Sequence, residues 1–174
     1  MQRMRILIAS FFLLAVPLGL FPVAAAAQKK DYLSNVEADK IRDAETSDKR
    51  IKLFLSFAAD RLKKFQYELD HPSPARHAEM LNSLMNAYAG CVDDAADLIQ
   101  LGVEKQENIR AGIELMIKQG PEFLLVLEKL SSEGPEREIY KENLEDAIEG
   151  TRDAIHDAES AKKEIAPPPV RRRD

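Results

Sequence analysis

Apolar residues return along this chain at steps of four and three. Ile51, Leu55, Ala58, Leu62, Phe65 and Leu69 form one such row, and Phe54 widens it. A helix turns about 100° per residue, so this alternation keeps returning to one face. The row predicts an amphipathic helix capped by Thr46 or Ser47, with Lys52, Lys63 and Lys64 on the water-facing side. It stops at Asp70-His71-Pro72-Ser73-Pro74. Two prolines there remove amide donors and disfavour helical geometry in the residue before each.

A longer row follows within residues 73–120: Leu81, Met85, Tyr88, Val92, Ala95, Ile99, Gly102, Gln106, Ile109, Ile113, Met116 and Gly120. Leu84, Cys91 and Leu98 lie beside it, so the strip is wider than a two-stranded seam needs and several helices must cover it. Ser73 is placed to cap this helix, with Pro74 in its first turn. Residues 103–107 are good helix formers without proline, and the spacing predicts one continuous central helix over about 74–118. At ~1.5 Å per residue it would be ~65 Å long, against ~35 Å for its predecessor, leaving a distal apolar face to be covered. A break within 102–108 would instead give a regular four-helix bundle.

Gln119-Gly120-Pro121 is expected to end or kink that helix. A short, very apolar fourth helix over 121–130 follows, carrying Phe123, Leu124, Val126, Leu127 and Leu130. After Gly134-Pro135, a last helix over about 135–165 repeats Tyr140, Leu144, Ala147, Thr151, Ala154, Ala158, Ala161 and Ile165, with Ile148 and Ile155 alongside. Near the start, Ser34 and Glu37 spell a capping box, with Leu33 and Ala38 as its staple, for a thin first helix over about 35–45 that lies on the bundle. No segment alternates as a half-buried strand does. The fold class is all-α: an antiparallel helical bundle of four to five helices with one long central helix.

The ends change the picture. Arg3 and Arg5, the apolar run 6–20 and the small residues 23–27 read as a cleaved secretory signal over residues 1–27. That run is shorter than the ~20 residues a membrane span needs, so no stable span is expected once the signal is removed. A polar lead-in occupies 28–33 and the bundle domain 34–165. Residues 166–174, with three prolines and three arginines, predict a disordered, extended tail.

The formal charge is -5, and becomes -7 without Arg3 and Arg5. Setting aside the tail's Arg171, Arg172, Arg173 and Asp174 leaves -9 on the body. Such an acidic body argues against nucleic acid, whose phosphates need clustered Lys and Arg. The single cysteine, Cys91, sits on the wide apolar face with no histidine to activate it and is expected buried and reduced.

Candidate chemistry is sparse. There is no C-x-x-C-H string for covalent haem, and the nearest approach to a di-iron pattern, Asp153 with His156 and Glu159, points towards water. His71 and His77 flank the Pro-Ser-Pro corner with Asp70 and Glu79 near them, a weak divalent-metal candidate. No catalytic group and no cofactor is assigned. The reading is an exported, non-enzymatic helical bundle, periplasmic or extracellular. It would act through a protein partner or homo-oligomer along helix 74–118, chiefly at 106–116. The alternative is a small-ligand or metal-binding bundle, with its site at the His71/His77 corner or in a cavity left by the small-residue faces.

Overall fold

The computed structural model describes residues 32–165, so the expected signal sequence and tail lie outside the described residues. Five α-helices and one 3-10 turn, without strands, make up the described residues. The order is α1 Asn35–Asp43, α2 Ser47–Asp70, α3 His77–Glu104, α4 Arg110–Glu133, a 3-10 turn Arg137–Ile139, and α5 Lys141–Glu164.

The first two helices begin where their caps place them. Ser34 Oγ accepts from the Glu37 amide (3.3 Å) while Glu37 Oε2 accepts from the Ser34 amide (2.9 Å), a reciprocal capping box. Thr46 Oγ1 accepts from the Lys49 amide at 3.3 Å. The α2 row Ile51, Leu55, Ala58, Leu62 and Phe65 is buried, with Phe54 beside it.

The long central helix is not continuous. α3 ends at Glu104, and residues 105–109 turn the chain before α4 starts at Arg110. The Gln106 amide reaches the Val103 carbonyl (3.0 Å) and the Glu107 amide reaches back to Gly102 (2.8 Å). Gln106 itself is left-handed at φ 55°. This is the hydrogen-bond pattern of a Schellman helix terminus, with glutamine in the place glycine usually takes. Ile109, fully buried, then packs on Gly102, where even a methyl group would lie 2.7 Å from Ile109 Cγ2. Asp48 at the start of α2 caps the new helix from outside, its Oδ1 accepting from the Gly112 amide at 2.5 Å. Ser47 Oγ donates to Glu107 Oε2 in the same turn.

The break removes the distal face on which association was expected. Ile109, Ile113 and Met116 are fully enclosed by the chain's own helices. α3 packs on α2 and α5, and α4 on α5 and α2, so the two helices joined by residues 105–109 stand across the bundle from each other. Their aromatic rings meet through the core, Tyr88 and Phe123 edge-to-face at 5.9 Å. Phe65 and Tyr140 join the other diagonal at 5.0 Å. Tyr88 also shares a buried hydrogen bond of 2.7 Å with Thr151.

Three further boundaries differ from expectation. Ser73 and Pro74 do not open α3, which begins at His77. Residues 74–76 form a turn, and Ser73 is spent on Glu68. Gly120-Pro121 does not end a helix, because Met116, Gly120, Phe123 and Leu127 on either side are all buried and the exposed proline ring is carried within α4. The short helix 121–130 is the second half of α4. The last helix starts at Lys141, since residues 137–139 form the 3-10 turn.

Candidate functional site

Among the described residues, buried charged side chains gather in two places, each where a charged residue interrupts an apolar row. On α2 the row Phe54, Arg61, Glu68 steps by seven and is buried throughout. Arg61 ties down the chain entering α1. Its Nη2 donates to Glu37 Oε2 (2.7 Å) and to the Tyr32 carbonyl (3.3 Å), and its Nη1 donates to Asp60 (2.9 Å). Burial opposes ionisation of Glu37, but Arg61 and the bonds from Ser34 outweigh it and hold the carboxyl down to about 2. The Tyr32 ring covers Gly90 on α3, where an added Cβ would lie 2.8 Å from Cε1, and its hydroxyl donates to Asp94.

Behind this tether α1 leaves a groove of about 420 Å³ over α2 and α3. Its apolar wall is Leu33, Ala38, Ile41, Phe54, Leu98 and Leu101. Its polar groups are Arg50 from α2, and Asp94 and Asp97 from α3. Arg50 Nε is engaged by the Ala44 carbonyl at 3.0 Å. Burial, with the like charge of Asp97, pushes Asp94 up to about 6. Asp97 is exposed and takes no hydrogen bond or ion pair from the described residues.

The second place is the corner between α2 and α3. His77 is the first residue of α3, with Nδ1 2.9 Å from Glu68 Oε1 and Nε2 2.8 Å from Glu136 Oε2. Ser73 donates to both Glu68 oxygens, from its amide at 2.8 Å and from Oγ at 2.9 Å. The Glu68 bond, with Glu136 adding to it and burial opposing, raises the His77 pKa above its ordinary value.

Of the residues singled out as a weak metal candidate, only His77 joins a cluster. Glu79 pairs with Arg76 at 2.7 and 3.0 Å. His71 stacks on Tyr67 with ring centroids 4.3 Å apart. No group of three or more metal-binding side chains converges among the described residues. Cys91 is fully buried, and His156 faces water. Arg61, Glu68 and Asp94 were missed, although extending the Phe54 row by sevens reaches the first two. Ala87, Asp94 and Leu101 repeat that spacing on α3.

No protein-family model matches this chain, and no curated protein or solved structure is significantly similar to it. The class its own fold defines is an all-helical bundle: four long helices around one core, with a short N-terminal helix laid across α2 and α3. Among the described residues no helix is long and apolar enough to cross a membrane.

Proposed function

We propose that this is an exported, non-enzymatic binding protein whose groove beneath α1 takes a small amphiphile with one cationic nitrogen. The observation that carries the reading is the union of an apolar trough with two α3 carboxylates in its lining, Asp94 buried and Asp97 exposed. The volume suits a small molecule, and sites of this kind are mostly apolar with a few placed polar groups. The charge balance selects the sign. Asp97, and Asp94 which accepts from the Tyr32 hydroxyl, share the groove with one guanidinium, Arg50, that already serves the Ala44 carbonyl, and the body around them carries -9. The apolar part would displace water from Ile41, Phe54 and Leu98, and the ammonium would sit by Asp97. Binding rather than catalysis is the reading we give a lining whose polar groups are two carboxylates and one guanidinium, with no serine, cysteine, histidine or lysine beside them.

The test is a matched series of octylammonium, octanol and octanoate, followed by amide chemical shifts of the isotopically labelled protein. Octylammonium is expected to move Ile41, Phe54 and Leu98 resonances, and octanoate to leave them in place. Asp97→Asn should weaken octylammonium about fivefold, the worth of one partly exposed charge pair, without touching octanol. Ala38→Phe, which fills the trough, should abolish binding. Equal or tighter binding of octanoate overturns the charge assignment, and no response to any of the three overturns the groove as a site.

A further inference from the structure

His77 faces a carboxylate oxygen through each ring nitrogen, and a carboxylate can only accept. A neutral imidazole has one N–H and one lone pair, so it can satisfy one of these neighbours but not both. The two-sided arrangement therefore belongs to the charged ring. The two carboxylates are held unequally. Glu68 is buried and also receives both Ser73 donors. Glu136 is half exposed and sits at φ 52°, a left-handed conformation that glutamate rarely adopts, in the turn between α4 and α5. Arg76 and Glu79 are spent on each other, and Arg137, next to Glu136, reaches the Ser131 carbonyl (2.8 Å) and Glu138 (3.5 Å) instead. Glu68 and Glu136 are thus the charged groups facing the ring.

We propose that His77 is a proton-operated clasp that fastens the turn between α4 and α5 to the corner between α2 and α3, and that loss of its proton releases Glu136. The neutral ring keeps its N–H for Glu68, the better-fixed acceptor, and turns a lone pair on Glu136. The turn then loses one of its ties to α3 and keeps another, the Asn82 Nδ2 bond to the Ile139 carbonyl (2.9 Å), while the helices stay packed. Gly134 and Pro135 of this turn wall a cleft of about 430 Å³ against Leu69 and Leu130, so release changes access to that end of the bundle. The direction follows from the raised His77 pKa. The clasp is fully closed below the ordinary histidine value and opens as pH rises through the higher folded-state value.

Imidazole nitrogen spectra and amide exchange of the full chain, from about pH 5 to about pH 9, test this. The Ile139 and Tyr140 amides, bonded to the Glu136 and Arg137 carbonyls at 2.9 and 3.1 Å, report the turn. Once corrected for intrinsic base catalysis, their exchange is expected to rise at least fivefold through the His77 titration. It should stay flat in Glu136→Gln, whose amide can serve either form of the ring, and in His77→Gln. Glu136→Gln alters a half-exposed side chain, so it remains informative if the His77 variant folds poorly. A His77 ring that loses its proton at or below the ordinary value overturns the clasp. So does turn exchange that ignores the titration or keeps its pH step in Glu136→Gln.

Discussion

Gln106→Gly should stabilise this protein, although it places glycine inside a run of helix formers. Gln106 stands at φ 55°, and an L-residue there costs roughly 1–2 kcal/mol that glycine does not incur. Against this stands the greater backbone freedom of glycine in the unfolded chain, roughly 0.5–1 kcal/mol. The balance is a gain of about 0.5–1 kcal/mol, which for a domain of this size raises Tm by about 2–4 °C. Urea unfolding at constant m-value is the assay, because a shift in midpoint alone then reports stability. The companion substitution Gly102→Ala should go the other way by about 1–3 kcal/mol. Its new Cβ would meet Ile109 Cγ2 at 2.7 Å and Cδ1 at 2.8 Å, and a fully buried, β-branched side chain has little room to retreat. The sign for Gln106→Gly is the decisive outcome. Were residues 103–107 helical, glycine at 106 would cost about 1 kcal/mol, and a measured loss of that size would refute the turn.

Arg61→Met is expected to cost about 2–3 kcal/mol, below the range for a fully buried pair because the site is partly open to water. Adding Glu37→Gln should recover part of that loss in a double-mutant cycle, and strictly additive losses would count against the pair. Glu37 is held down to about 2, so the wild-type contribution is intact above the ordinary glutamate range. It fades as pH falls towards that value, which acid titration of wild type against Arg61→Met will show. Asp48→Ala removes the α2 side chain that caps the neighbouring α4 at Gly112 and should cost about 1 kcal/mol by thermal or urea unfolding. Full retention of stability would mean that α4 is capped otherwise.

What could be read from the sequence follows from the range of each interaction. The α2 stripe, the Ser34–Glu37 box and the Thr46 cap are settled within a few residues, and they appear where the pattern puts them. The break after Glu104 is equally local, but its usual mark is absent because a glutamine holds the left-handed position. The clash of Ile109 with anything larger than glycine at 102 is visible only once the chain has turned. Proline at 121 misleads for the opposite reason. Its lost hydrogen bond is a local cost of about 3 kcal/mol, while Met116, Phe123 and Leu127 bury their side chains against helices distant in sequence.

The polar sites divide along the same line. Arg61 and Glu68 stand on a row begun by Phe54, and a charge on an apolar row must find a partner or leave the core, so their importance can be inferred before any coordinates. The identity of each partner cannot. Glu37 is 24 residues from Arg61, His77 is nine from Glu68 and 59 from Glu136, and Tyr32 is 62 from Asp94. No helical period links such pairs; the turns at 44–46, 71–76, 105–109 and 134–140 bring them together. The groove arises in the same way. α1 has too little apolar surface to seal itself against α2 and α3, so it is held by polar bonds near its two ends, and the space between remains open to a ligand.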